Sequence, residues 1–208
     1  MHRCSFFVSV LTTLIMFATI AHGEEAASVK ETVDKAIKAV GGKDKLLTHF
    51  RWKEKYYIGE SKDGVLREAT ITPPDHWWQG ETDIAKGNPD RSEKTYLVWV
   101  WTLAPLNDEG SKLTPLPGIT VNEMPCAGIR LSRKDRPDIN LYFDNTTGLL
   151  AQIDWRTYHI HFSDWKEVDG FKYPSQAFVR KKDGTLPVSY THLRAHETKA
   201  KLVCRLLL

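Results

Sequence analysis

Apolar residues follow a helical period at the start of the chain and a strand-like alternation after it. The apolar positions at helical spacing are Val29, Val33, Ile37 and Val40. Ser28 is a suitable N-cap residue, and Glu31 three positions later completes a capping box. Gly41-Gly42 interrupts the pattern, as glycine does at the end of a helix. We therefore predict an N-terminal helix that ends at this glycine pair.

Short apolar runs separated by turn-forming residues follow the glycine pair. We predict a short helix or turn over 43–49 and then a series of strands at 50–58, 65–71, 76–80, 126–132, 140–143, 149–158, 159–165 and 171–180. Their spacing is typical of an antiparallel sheet that curls or closes. The segments 83–92 and 107–118 have few apolar residues in a regular period, so we predict a loop and a turn-rich connection there.

The most apolar run of the body lies at 96–103, where periodicity alone does not separate a buried strand from a helix. Leu97, Trp101 and Ala104 share one helical face, and an adjoining face carries further large apolar residues. We favour a helix, which Pro105 would end.

Residues 1–23 have the pattern of a secretory signal peptide. Arg3 precedes an apolar stretch, and small residues stand at the expected cleavage positions 21–23. The stretch is short and interrupted for a transmembrane anchor. We expect export to the periplasm or secretion, with no transmembrane segment after cleavage.

The C-terminal residues 188–208 resemble a translated sequencing-library adapter. Residues 188–198 match one reading frame of a transposase-type adapter, and 202–208 match its continuation in the same frame. The three residues between them correspond to a short index. The alternative is a basic amphipathic helix, but two matches in one frame favour the adapter. We expect the domain to comprise residues 24–187 and to be truncated at its C-terminus.

Composition takes on a different meaning once these ends are set aside. The whole chain has 208 residues, a net charge of +3 and three cysteines, whereas residues 24–187 carry 24 basic and 25 acidic residues and only Cys126. A net charge of −1 without a basic stripe argues against nucleic-acid binding. A single cysteine excludes a disulfide framework.

The residues that could carry chemistry are few. His159 and His161 stand on one face of a predicted strand with Asp164 nearby, but a metal site would need further ligands. The sequence has no nucleophile elbow and no phosphate-binding glycine loop. We therefore predict no catalytic residue, no metal and no cofactor, and keep a hydrolase or metal enzyme built on these three residues as an alternative.

Tryptophan is the most informative residue type in the body. Five indoles exceed what a small sheet core requires, and we predict that they bind a ligand: Trp77, Trp78, Trp99, Trp101 and Trp155. Indoles bury large areas and suit acyl chains or other apolar molecules. The alternative for each of them is ordinary core packing.

Three segments together resemble a known family. They are the helix end Ala39-Val-Gly-Gly42 before Phe50-Arg-Trp52, the hairpin Leu141-Tyr-Phe-Asp-Asn-Thr-Thr-Gly-Leu-Leu150, and Asp164-Trp-Lys-Glu-Val-Asp-Gly-Phe-Lys-Tyr-Pro174. In this order they are similar to exported bacterial proteins of the lipoprotein-localisation carrier superfamily (LolA/LolB-like), in particular outer-membrane lipoprotein-sorting-like members. The similarity covers most of residues 30–182.

The resemblance implies an α+β fold, in which a curled antiparallel sheet, or half-open β-barrel, has an N-terminal helix and a helical lid over an apolar cavity. It further implies a non-enzymatic periplasmic carrier of a lipid or lipoprotein acyl chain, with an outer-membrane partner. A cell-envelope interaction module is the other alternative, which an exposed patch of tryptophans would favour.

Overall fold

An N-terminal helix, α1, spans residues 28–39 and has the amphipathic pattern predicted for it. The computed structural model describes residues 28–47, 49–58, 61, 63–183 and 189–196, so the predicted signal peptide lies outside the described residues. The buried face of the helix comprises Val33, Ala36, Ile37 and Val40. Ser28 already lies within the helix. Gly41 and Gly42 follow the helix with φ angles of 117° and 96°, which glycine adopts without strain.

A single antiparallel sheet of eleven strands makes up most of the described chain. The strands are β1 (Phe50–Ile58), β2 (Val65–Thr72), β3 (His76–Gln79), β4 (Thr82–Asp83), β5 (Ser111–Val121), β6 (Met124–Arg133), β7 (Ile139–Asp144), β8 (Leu150–Trp155), β9 (Tyr158–Val168), β10 (Phe171–Lys181) and β11 (Ser189–His196). They are ordered β4-β3-β2-β1-β11-β10-β9-β8-β7-β6-β5, so β4 and β5 form the two edges and the sheet is not closed.

Contacts between distant strands show that the sheet curls. Asp75, in the turn before β3, forms an ion pair with Arg136, in the turn between β6 and β7. Six strand positions separate β2 from β7, which in a flat sheet would be about 29 Å at about 4.8 Å per strand. Ser92 donates to Asp75 at 3.2 Å and accepts from Arg136 at 3.0 Å. The two halves of the sheet therefore curve towards each other.

A second helix, α2 (Pro89–Trp101), lies in this concavity. Its existence confirms the helix predicted for the apolar run, but the predicted loop over 83–92 is wrong in its second half. Asn88 accepts a hydrogen bond from the backbone N–H of Arg91 at 3.1 Å, and Pro89 occupies the first helical position. Asn followed by Pro is a helix-start signal, so the sequence carried this information. No helix among the described residues is long and apolar enough to span a membrane.

The turn-rich connection predicted over 107–118 is also wrong, because β5 occupies Ser111–Val121. Pro115 and Pro117 argue against a strand in the sequence, yet β5 is an edge strand. An edge strand tolerates proline because the backbone N–H groups on its outer side form no hydrogen bonds with a neighbouring strand. The register shifts between Leu116 and Ile119, which adds a bulge at this point.

The boundary predicted between the strands 149–158 and 159–165 is misplaced by about two residues. β8 ends at Trp155, and β9 begins at Tyr158 after a two-residue turn. Arg156 in this turn has a φ of 52°, a left-handed conformation that non-glycine residues adopt infrequently. The two turn residues are Arg156 and Thr157, and neither is a residue type that marks a turn in the sequence.

Residues 189–196 of the adapter-like segment form β11, which pairs with both β1 and β10. The registry sets Thr191 opposite Tyr56 on one side and Ala177 on the other. β11 therefore lies inside the sheet, between β1 and β10. That the domain ends at residue 187 stays a prediction.

Candidate functional site

A cleft of about 390 Å³ lies beneath α2 and is open to solvent on one side. We call it the α2 cleft. One wall is β1 to β3, the opposite wall is β8 to β10, and the helix forms the roof. The apolar side chains that line it are Leu97, Val98, Trp101, Trp155, Ile160 and Val179. Its volume is at the small end of the range for ligand pockets, roughly 300–1,000 Å³.

Helical and strand periodicity explain how these residues meet. Leu97, Val98 and Trp101 are separated by three or four positions, so they lie on one face of α2. Ile160 and Val179 are directly paired across β9 and β10, so their side chains stand on the same face of the sheet. The two faces oppose each other, and the space between them is not filled by side chains.

Three of the five tryptophans predicted to bind a ligand line the α2 cleft. They are Trp77 of β3, Trp101 of α2 and Trp155 of β8. They belong to three different elements, which only the curling of the sheet brings together. Trp101 also makes an edge-to-face contact with Phe162, with ring centroids 5.1 Å apart, and this contact orients the indole.

The other two predicted tryptophans lie elsewhere. Trp78 stacks on His76 with ring centroids 5.9 Å apart, and it does not line the cleft. Trp99 is 6% exposed and packs in the core against Tyr96, with the Arg133 guanidinium over its ring at 5.2 Å. Trp78 follows the cleft residue Trp77 in a strand, and Trp99 follows the cleft residue Val98 in a helix. Successive side chains of a strand or a helix point in different directions, so Trp78 and Trp99 lie outside the cleft.

Cationic side chains at one end of the cleft were missed in the sequence. The guanidinium groups of Arg67 and Arg91 lie 5.1 Å and 5.2 Å from the ring centroid of Trp77. Arg67 forms an ion pair with buried Glu54. Each of these four residues lines the cleft. No local pattern marks them, because β1, β2, β3 and α2 each contribute one.

The opposite wall carries a second charged pair. Arg156 donates from Nε to Glu93 at 2.6 Å, and its guanidinium lies 5.6 Å from the ring centroid of Trp155. Trp155 in turn stacks on Tyr158 at 6.1 Å. This pair ties the β8–β9 turn to the first half of α2, so the roof of the cleft is attached to both walls.

Several buried donors in the cleft region lack an acceptor. Among the described residues, no hydrogen-bond partner is present for the indole N–H of Trp77, the indole N–H of Trp155 or Nε of Arg67. Trp77 is only 1% exposed. Buried polar groups are normally paired, so this excess of donors is uncommon.

The histidines of the alternative enzyme site do not form one site with Asp164. His159 is hydrogen-bonded to Asp154 through Nδ1 at 2.6 Å, and its ring centroid lies 6.3 Å from that of His161. Asp164 instead accepts from Ser175 and lies 3.2 Å from Lys166 Nζ. Burial, then the nearby His159 and Arg180, lower the pKa of His161. Within the described residues, no group of three His, Cys, Asp or Glu side chains is placed to hold a metal ion.

No protein-family model matches the chain, and no curated protein is significantly similar to it. Similar solved structures include a LolA superfamily protein from Nitrosomonas europaea, which is 8% identical with a TM-score of 0.48, over 84% of this chain and 96% of that one.

A domain described as an outer membrane lipoprotein-sorting protein, from Vibrio parahaemolyticus, is 9% identical with a TM-score of 0.48, over 83% of this chain and 92% of that one. A DUF1329 family protein from Desulfovibrio piger is 14% identical with a TM-score of 0.46, over 81% and 91% of the two chains. These three structures have identities under 25% and TM-scores under 0.5, so the chemistry of the site is argued from the α2 cleft alone.

Proposed function

We propose that the protein is a non-enzymatic periplasmic carrier that holds an acyl chain in the α2 cleft. The observation that supports this proposal is the cleft itself, an unfilled space between apolar faces of α2 and the sheet. Leu97, Val98 and Ile160 are each at most 6% exposed, yet they border this open volume. A lipid tail matches such a lining because it gains from leaving water and needs no hydrogen bonds.

Tryptophans strengthen the proposal because they provide rigid apolar surface. Trp101 and Trp155 are partly buried and lie on opposite sides of the cleft. An indole held by its neighbours loses little conformational entropy when a ligand binds. An acyl chain between them would bury both rings further, which is favourable at about 25 cal/mol per Å².

Neither alternative has a specific observation in its favour. The enzyme would require Asp164 beside the two histidines, but Asp164 contacts Ser175 and Lys166 instead. The interaction module would require an exposed patch of tryptophans, but Trp77 and Trp99 are at most 6% exposed. A lipoprotein as the source of the acyl chain, and an outer-membrane partner that receives it, belong to the proposal.

The test is a calorimetric titration of the full chain with two single-chain probes, dodecanoate and 1-monolauroylglycerol. We expect at least one to bind with one-to-one stoichiometry. Val179→Trp would fill the cleft and lower the affinity at least about tenfold. Val168→Trp is the matched control, because Val168 is 37% exposed on β9 and lies outside the cleft lining. Absence of binding to both probes would overturn the carrier proposal.

A further inference from the structure

The charged side chains that line the α2 cleft comprise four cations, Arg67, Arg91, Lys94 and Arg156, and three carboxylates, Glu54, Asp90 and Glu93. Arg67 is paired with Glu54, and Arg156 is paired with Glu93. Arg91, by contrast, forms no ion pair with any described residue, and its guanidinium rests on the ring of Trp77. The cleft therefore presents a half-buried guanidinium that is in no ion pair with a described residue, although Asp90, its neighbour in the chain, also lines the cleft.

Donors without acceptors surround this guanidinium. The indole N–H of Trp77 and Nε of Arg67 are buried and have no partner among the described residues. Both groups carry positive partial charge, and they lie close together because the Arg67 guanidinium lies over the Trp77 ring. Oε1 of Glu54 also lacks a hydrogen bond, but it lies in the ion pair with Arg67. The donors that remain without an acceptor therefore favour an anion at this end of the cleft.

The environment of Arg91 has the same character. Burial, followed by the neighbouring Arg67 charge, lowers the pKa of Arg91, while Glu54 acts in the opposite direction. A guanidinium keeps its charge in proteins, so the direction indicates a cation that is incompletely compensated. A carboxylate beside it would supply that compensation and accept a charge-assisted hydrogen bond.

The rest of the cleft fixes the shape of the ligand. Arg91 lies in the first turn of α2, and the apolar face of the same helix continues through Leu97 and Val98 to Trp101. A head bound at Arg91 would therefore have its tail directed along this face. A volume of about 390 Å³ suits one acyl chain better than several.

We infer that the α2 cleft binds a single-chain anionic amphiphile, with its carboxylate at Arg91 and its chain along the apolar face of α2. This inference rests on the proposed function and makes the ligand class more specific. The Arg91 guanidinium lies over the Trp77 ring, and this cation–π contact positions it. Glu54 neutralises Arg67, which leaves Arg91 as the group that recognises the head.

The experiment compares three probes of equal chain length on the full chain: dodecanoate, 1-monolauroylglycerol and dodecylammonium. We expect dodecanoate to bind about tenfold more tightly than the neutral probe, and dodecylammonium most weakly. Higher salt should reduce the difference, because Arg91 is only half-buried and dissolved ions screen its charge.

Two variants assign the preference to a residue. Arg91→Gln keeps a good helix former at this position and should remove the preference for dodecanoate while the neutral probe binds as before. Arg51→Gln is the matched control, since Arg51 is an exposed residue on β1 whose partner Glu68 lies outside the cleft. It should leave all affinities unchanged.

The outcomes separate this inference from the carrier proposal. Equal binding of the acid and the neutral probe would overturn the anionic specificity while the carrier proposal stands. A preference for dodecanoate that persists in Arg91→Gln would overturn the role of Arg91. Failure of every probe to bind would overturn both.

Discussion

The two helices of the protein pack against the same sheet in opposite ways. α1 buries aliphatic side chains, its Lys35 donates to the carbonyl oxygen of Asn145, and its polar face borders a smaller cleft of about 230 Å³. Its C-terminal end is joined to the sheet by the backbone hydrogen bond from Lys172 N–H to Val40 C=O at 2.9 Å. α2 presents aromatic and charged side chains, and it leaves about 390 Å³ unfilled. α2 borders the larger cleft, whose lining includes apolar side chains and the Arg91 guanidinium over the Trp77 ring. On the proposed function, α2 would serve binding and α1 mainly stability.

Alanine substitutions at the adjacent Gly41 and Gly42 test the contact between the end of α1 and the β9–β10 turn. A Cβ at Gly41 would lie 2.0 Å from the carbonyl oxygen of Gly170, whereas a Cβ at Gly42 would have nothing within 4 Å. Both have positive φ, so both alanine variants carry strain of about 1 kcal/mol or more. We expect Gly41→Ala to cost at least about 3 kcal/mol, because backbone must move as well. Urea denaturation measures both; equal costs would show that α1 is not held tightly against the β9–β10 turn.

Truncating one aliphatic residue on each helix tests the difference in packing. Ile37→Ala in α1 should cost about 3–4 kcal/mol, because Ile37 is 2% exposed and packs in the closed core. Leu97→Ala in α2 removes as many carbons but should cost about 2 kcal/mol, since one side of Leu97 faces the cleft. Denaturant midpoints give the comparison. A larger cost at Leu97 would mean that α2 is packed as ordinary core.

A ligand should stabilise the protein through α2 and not through α1. At one hundred times its dissociation constant, dodecanoate should raise the free energy of unfolding by about 2.7 kcal/mol. Ile37→Ala should retain this increment, whereas Trp101→Ala should lose it at the same probe concentration because Trp101 lines the cleft. Thermal denaturation with and without the probe measures the increments. An undiminished increment in Trp101→Ala would place the binding site elsewhere.

Tyr96 provides the mildest test, through alkaline pH. Burial raises the pKa of Tyr96 to about 12 from its usual value near 10. The folded state thus favours the neutral phenol, so this contribution is complete below pH 10 and is lost as the pH rises from 10 to 12. Tyr96→Phe should remove that loss.

At pH 7 the same variant should change stability by no more than about 0.5 kcal/mol, because the Tyr96 hydroxyl has no partner among the described residues. Denaturation at several pH values follows both effects. If variant and wild type lost stability in parallel above pH 10, other groups near α2 would be responsible.

Local patterns in the sequence were sufficient for most elements and insufficient for β5 and for the β8–β9 turn. The glycine pair and the period of Val33 and Ile37 predict α1 because capping and burial act within one helix. β5 was missed because prolines are compatible with a strand only at an edge, and its position in the sheet is not a local property. The β8–β9 turn was also not predicted, because Arg156 has a left-handed conformation there without being a typical turn residue. Its hydrogen bond to Glu93 of α2 is a tertiary contact, which the local sequence does not reveal.

The candidate site divides in a similar manner. Residue type alone selected Trp77, Trp101 and Trp155, since large indoles are suited to apolar ligands. It also selected Trp78 and Trp99, which the fold directs elsewhere. The charged end of the cleft was not predicted, because its members come from four separate elements.

The sequence by itself determined the class of the fold, an antiparallel sheet with a helix at its start and a helix near its middle, because periodicity and turn residues act over a few positions. Only the tertiary structure decided which side chains meet. The ion pair between Asp75 and Arg136 joins turns six strand positions apart, and such a contact depends on how the whole sheet curls. That curvature creates the α2 cleft, and it places the Arg91 guanidinium on the Trp77 ring, in no ion pair with a described residue.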